Sequence, residues 1–185
     1  MGGSFLRNLD LIVEKLARAQ NAFLHAADAI PCALWAARPG NETWSVGEVA
    51  AHVVMVEQAI VDGARRVSRK TPKAIPLLQR FHLPMSLAEI RIIKLKAPLY
   101  LQPALSETKE ETLGKLRAVR EDTLAFLNET KQRDLSAYRW HHPFLGMLNT
   151  YEWFEMIAAH QVRHTKQVLE IATSLPKPVT TAENR

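Results

Sequence analysis

The chain has 185 residues and a formal net charge of +5, with 47% hydrophobic and 23% charged residues. These values fit one soluble globular domain with a substantial core, and no apolar run approaches the roughly 20 residues that a membrane span needs. The lone cysteine, Cys32, excludes an internal disulfide and every zinc motif built from several cysteines. Residues 1–4 lack the charged-then-apolar pattern of a secretory signal, so we expect a cytoplasmic protein.

The positive charge raises the alternative of nucleic-acid binding. The one basic cluster spans residues 65–73, at the end of a predicted helix, where cations interact favourably with the helix macrodipole. The other basic residues are scattered among acids, and no pattern of basic and aromatic residues typical of an RNA-binding sheet is present. We therefore favour a solvated helix end over a phosphate-binding surface and expect no nucleic-acid partner.

The first predicted element is an amphipathic helix from Ser4, the predicted N-cap, to about residue 30, where Pro31 stops it. His25 lies off its apolar face, so we expect it at the surface. The predicted inward positions recur every three or four residues. They are Leu6, Leu9, Ile12, Val13, Leu16, Ala19, Phe23 and Ala27.

A second helix is predicted from Ser45 to about Lys70, and Ser45 with Glu48 forms a capping box by residue type. Its predicted inward face contains a histidine among aliphatic residues. The face comprises Val49, His52, Val53, Val56, Ile60 and Ala64. Residues 71–106 follow with five of the ten prolines, and we predict a long crossover or lid that carries short helices rather than a second domain.

A third helix is predicted over residues 107–131, a loop over 136–148, and a fourth helix that begins with an Asn149–Glu152 capping box. The inward residues of the third helix are Leu113, Leu116, Val119, Arg120, Leu124 and Leu127. Those of the fourth are Trp153, Met156, Ile157, His160, His164, Val168 and Ile171. We expect one domain over residues 1–175 and a loose tail over 176–185.

Four long helices with almost no strand signal predict an all-α fold, a four-helix bundle. His52 lies about 10 Å from the start of the second helix, and His164 lies about 12 Å from the end of the fourth. The two histidines lie at nearly the same level if the second and fourth helices run antiparallel, so we favour this arrangement. The long crossover then allows the third helix to run parallel to the second.

His160 and His164 lie one turn apart on one helix face. With seven histidines in this chain, the number of such pairs expected by chance is about 0.25. The pair alone is therefore weak evidence. Gln161 also replaces the glutamate of the His-Glu-x-x-His motif of zinc proteases. His52 adds a third core-facing imidazole from another helix. For any one histidine we favour a core residue with a local hydrogen bond, but for the trio we favour a metal site.

Three neutral imidazoles suit zinc, nickel or iron(II), and three protein ligands leave coordination positions open, as in catalytic sites. Gln167 could orient His164 by helical spacing, although a merely packed glutamine is the more common case. Glu57 is displaced around the helix from His52, so no general base is assigned. His141 and His142 precede the fourth helix and are predicted at the loop or pocket rim.

Two segments together resemble the DinB/YfiT-like superfamily of small bacterial metal-binding proteins. They are residues 44–52, from Trp44-Ser45 to His52, and residues 142–153, with His142-Pro143 and Gly146, followed by His160 and His164. The resemblance covers residues 5–172. It implies an up-down-down-up four-helix bundle, frequently a homodimer, with a divalent metal held by His52, His160 and His164.

Some members of this superfamily are transferases or isomerases that use low-molecular-weight thiols, and others are called metal-dependent hydrolases. The resemblance therefore implies a small-molecule substrate and a metal-dependent S-transferase or hydrolase, with a low-molecular-weight thiol as a further cofactor in the first case. A non-catalytic metal- or ligand-binding module is the alternative. The segment 71–106 looks longer than in the simplest members.

Overall fold

The computed structural model describes residues 2–71 and 107–176, with side chains from residue 9 onward. Over these residues it contains four long helices, a short 3-10 turn and one two-stranded sheet. In chain order they are α1 (Gly2–Asp28), the 3-10 turn (Cys32–Leu34), α2 (Val46–Ser68), α3 (Lys109–Glu129), β1 (Arg139–His142), β2 (Gly146–Asn149) and α4 (Thr150–Ser174). The predicted all-α class is confirmed in this coarse form. The predicted short helices of the crossover, and all but the first residue of the predicted loose tail, lie outside the described residues.

Three helices begin with a capping box, in which the side chain of the cap residue accepts a backbone N–H three residues on and a glutamate returns the bond. The pairs are Ser45 with Glu48, Thr108 with Glu111 and Asn149 with Glu152. The first and third pairs confirm the predicted helix starts. The predicted cap at Ser4 is wrong, because α1 already begins at Gly2 and so continues past this residue.

The buried apolar residues form two clusters, one towards each end of the helices. The first core cluster joins the end of α1, the beginnings of α2 and α3, and the end of α4; its members include Phe23, Ala27, Val49, Val53, Leu113, Leu116, Val168 and Ile171. The second joins the opposite ends; its members include Leu9, Leu16, Ile60, Ala64, Phe126, Leu127, Trp153 and Ile157. Both clusters therefore draw on all four helices.

Most of the predicted inward positions are buried, including all six on α2. His25 is exposed, as predicted. Val13 is an exception at 36% exposure, because it lies at the edge of the α1 stripe beside the buried Ile12. The described residues include no helix that is long and apolar enough to cross a membrane.

The predicted loop over residues 136–148 is wrong from Arg139 onward, where β1 and β2 form an antiparallel hairpin. The Trp140 ring stacks on Trp153 of α4, with centroids 4.8 Å apart. The same ring also packs against α2 at Gly63, where an added Cβ atom would lie 3.5 Å from it. The strands have only four residues each, too few for a clear alternation of apolar and polar residues. Packing on the helices therefore stabilises a hairpin that the local pattern does not reveal.

His142 closes the turn of this hairpin. Its Nδ1 accepts hydrogen bonds from the backbone N–H groups of Phe144 and Leu145, both at 3.1 Å, and its ring lies 5.0 Å from that of Trp153. Burial, with a smaller contribution from the neighbouring His141, lowers the pKa of His142 to about 4. An imidazole whose Nδ1 accepts hydrogen bonds is the neutral ring with its proton on Nε2, which agrees with a lowered pKa.

We predict that His142→Asn removes part of the acid sensitivity of the fold. Between pH 6.5 and 4 the unfolded chain protonates this residue and the folded chain does not, so wild-type stability falls as the pH falls through that window. The asparagine oxygen can accept the same N–H groups without titrating. Urea unfolding at pH 7 and pH 4 should show the wild type losing about 1–2 kcal/mol more than the variant, after allowance for solvent screening.

The control is His25→Asn, which changes an exposed histidine of α1 and should follow the wild type. Identical pH profiles for His142→Asn and the wild type would show that the hairpin histidine contributes nothing to acid unfolding.

Candidate metal centre

The structure brings His52 of α2 together with His160 and His164 of α4. One ring nitrogen from each lies within 4.8 Å of those of the other two, and the Nε2 atoms of His160 and His164 are 3.1 Å apart. The three ring centroids are 4.4–5.2 Å apart with steep angles between the planes. The three predicted ligands therefore converge on one point between two helices.

The donor set fits a divalent metal ion. Two nitrogens that each bind zinc at about 2.0–2.1 Å in a tetrahedral arrangement are about 3.3 Å apart, close to the separation of the two α4 imidazoles. His52 and His164 are 5% and 6% exposed, and His160 is partly exposed. Burial on one side with access on the other is what an open three-ligand site requires. Among the described residues no aspartate, glutamate or cysteine belongs to the cluster, so it is an all-imidazole site.

Burial and neighbouring charges favour the neutral form of His160. Burial is the main cause that holds the pKa of His160 well below its usual value, followed by the neighbouring His164 and His52 and then by Arg163 and His142. A neutral imidazole keeps a lone pair for a metal, whereas a protonated one has none. His160 is therefore in the deprotonated form that coordination needs.

Gln167 lies one turn beyond His164 and orients it. Its Oε1 is 2.8 Å from His164 Nδ1, and since an amide oxygen only accepts, the ring nitrogen donates. The Nε2 of His164 is then the unprotonated nitrogen of a neutral ring, and it lies 3.1 Å from His160 Nε2. Histidine ligands of metals are commonly held in this way by a second hydrogen bond. The structure thus supports a role of Gln167 in orienting His164, rather than the merely packed glutamine that the sequence favoured.

Trp44 contacts His52, because the two ring centroids lie 5.0 Å apart. Trp44 precedes the Ser45 cap, so the same local structure that begins α2 places an indole against the His52 imidazole. Trp44 contributed to the sequence argument only through the resemblance; a packing role was not predicted.

The other described histidines and the described part of the basic segment are not members of the cluster. His141 is exposed on β1, His142 caps the hairpin turn, and neither belongs to the three-histidine group. Arg65, the first residue of the basic segment, forms two 2.6 Å hydrogen bonds with Asp122 of α3. Its charge is therefore matched within the fold, which leaves the basic segment weaker as a phosphate-binding surface; residues 72 and 73 lie outside the described part of the chain.

A buried polar network next to the site was missed from the sequence. Arg120 Nε and Nη2 donate to Glu57 Oε1 and Oε2 at 2.7 and 3.0 Å, and Arg120 Nη2 also donates to Gln161 Oε1 at 2.8 Å. Arg120 Nη1 donates to the carbonyl oxygen of Leu16. Arg120 at an inward position of α3 was the available signal, because a buried arginine requires a buried acidic partner.

The comparisons with known proteins agree with this geometry. Residues 15–168 match the DinB superfamily. The chain is also similar to an uncharacterized protein, YuaE, of Bacillus subtilis (strain 168), with 28% identity over 145 residues that cover 76% of this chain and 84% of the relative. The matched range contains all three histidines of the cluster and most of the four helices. The chain belongs to the DinB superfamily.

Proposed function

We propose that the protein binds one divalent metal ion through His52, His160 and His164. The observation that carries the proposal is that three imidazoles from two helices converge until their ring nitrogens lie within 4.8 Å of one another, with one of the rings already oriented by Gln167. Isolated core histidines would each need only a local partner, and they have no reason to meet at one point. Zinc, nickel and iron(II) are the ions that suit this donor set.

We further propose that the metal site is catalytic and acts on a small molecule. Three protein ligands leave coordination positions for substrate, and His160 is partly exposed to solvent. A bound ion would act as a Lewis acid that polarises a substrate or lowers the pKa of a thiol or water. Thiol-dependent S-transfer with a low-molecular-weight thiol, or hydrolysis, are the reaction classes that the family resemblance supports.

The arrangement of the helices belongs to the same proposal: a four-helix bundle with up-down-down-up order. Its support is that each core cluster combines one end of α1 and α4 with the opposite end of α2 and α3. A homodimer is proposed on the family resemblance alone, and a cytoplasmic location is proposed from the sequence expectation. A non-catalytic metal-binding module is the alternative to be separated by experiment.

Metal titration of the purified full-length protein tests the ligand set. We expect about one zinc, nickel or iron(II) ion per chain, measured by calorimetry and elemental analysis. His52→Ala and His160→Ala should each weaken binding by at least about 100-fold, because two imidazoles remain where three were needed.

The matched control is His25→Ala, since this histidine is exposed on α1 and outside the cluster. It should bind as the wild type does. A wild type without stoichiometric metal, or cluster variants with unchanged affinity, would refute the metal site.

Turnover by the metal-loaded protein tests catalysis. The panel pairs low-molecular-weight thiols with electrophiles for S-transfer, and includes esters and amides for hydrolysis. We expect product formation that is lost on chelation, restored by the metal and absent from His52→Ala, while His25→Ala retains it. Background rates over the whole panel, with metal bound stoichiometrically, would favour the non-catalytic module.

Removal of the hydrogen bond to His164 should weaken metal binding without removing a ligand. Gln167→Ala is expected to lower the affinity about 10–100-fold, because the ring loses the bond that fixes its tautomer and orientation. Gln167→Glu keeps an acceptor and should stay close to the wild type. Gln58→Ala, an exposed glutamine of α2, is the control; equal affinities for both alanine variants would assign Gln167 a packing role only.

A further inference from the structure

The polar network around Arg120 lies at the centre of the four helices. Arg120, Glu57 and Gln161 are 2%, 1% and 0% exposed, and the Thr123 hydroxyl lies 2.8 Å from Glu57 Oε1. The network contacts every helix: α1 through the Leu16 carbonyl, α2 through Glu57, α3 through Arg120 and α4 through Gln161. It is thus the one described ion pair with both side chains almost fully buried.

Stability alone is a weak reason for such a network. Taking a guanidinium and a carboxylate out of water costs about as much as their attraction returns, and apolar residues of similar volume often replace a buried pair without loss. Gln161 also leaves its Nε2 without an acceptor among the described residues, which adds a cost. The gain must lie in geometry, because a planar guanidinium fork holds its partners at set distances and angles.

The partners of Arg120 stand next to the metal ligands along the chain. Glu57 lies five residues after His52 on α2, and Gln161 directly follows His160 on α4. One guanidinium nitrogen, Nη2, bonds to both Glu57 and Gln161. Sliding or rotating α2 against α4 would stretch at least one of these two bonds, and the same movement would separate His52 from the α4 imidazoles.

We propose that Arg120 is a positioning residue: through Glu57 and Gln161 it sets the register of α2 against α4 that brings His52 to His160 and His164. The consequence for metal binding rests on the proposed function. The placement of the three imidazoles is itself a property of the metal-free protein and can be measured without any ion.

The test combines a double variant, Glu57→Met with Arg120→Met, and the single variant Gln161→Leu. Both replace polar groups by apolar ones of similar volume, and Gln161→Leu leaves the ion pair intact. We expect the variants to remain helical and to melt close to the wild type, while zinc affinity falls about 10–100-fold, as it does when the support of a metal ligand is lost. A purely structural role would instead change the melting temperature and leave the affinity of the folded protein unchanged.

The matched control is Arg65→Met with Asp122→Met. This change removes another two-bond ion pair between α2 and α3, whose two 2.6 Å hydrogen bonds join Arg65 only to Asp122. We expect its zinc affinity to equal that of the wild type. An equal loss of zinc affinity in the control would overturn the proposal, because any ion pair between α2 and α3 would then have the same effect on the site.

Nuclear Overhauser effects between histidine rings provide the metal-free measurement. In the wild type without metal, contacts from His52 to His160 and His164 should be observed, since the ring centroids are 5.2 and 5.0 Å apart. They should weaken in both Arg120-network variants and persist in the control. Folded variants with unchanged ring contacts and unchanged zinc affinity would overturn the proposal.

The two proposals fail in different ways. A wild type that binds no metal refutes the proposed function, and the ring contacts still decide whether Arg120 positions the histidines. If the double variant does not fold, Gln161→Leu decides alone, because it cuts only the connection to α4.

Discussion

The packing of α2 against α4 is the constraint on which the candidate site depends. His52 comes from one helix and the His160–His164 pair from the other, so no local structure can assemble the cluster. Two capping boxes fix where these helices begin, at Ser45 and at Asn149, and therefore the level of each histidine along its axis. The first core cluster then holds the helices together around this level.

Two kinds of contact surround the cluster and perform different tasks. Gln167 and Trp44 contact the clustered histidines themselves, the first by a hydrogen bond to His164 and the second by its ring on His52. Arg120 instead bonds to residues of the helices that carry the histidines. The hairpin adds a further layer, because Trp140 reaches both α2 and α4 from outside. Orientation of each ring and alignment of the helices are thus separate physical problems in this fold.

Local patterns predicted what depends on local structure. The three-four spacing of apolar residues located the four helices, and the Ser45–Glu48 and Asn149–Glu152 pairs located two helix starts within a residue, because capping is decided within one turn. The hairpin was missed for the converse reason: its four-residue strands are stabilised by Trp153 and Gly63, residues that are distant in sequence. The helical boundary at Ser4 failed because a serine permits a cap without requiring one.

By itself the sequence determined which residues can bind a metal, since His52, His160 and His164 stand on predicted inward faces and two imidazoles four residues apart on one helix can share one ion. It also determined the family, through the segments around Trp44 and His142. Only the tertiary structure decided that the three rings meet, that Gln167 accepts a hydrogen bond from His164, and that Arg120 joins Glu57 to Gln161. The physical reason is that contacts between helices depend on their relative shift and rotation, and the periodicity of a single helix carries no information about either.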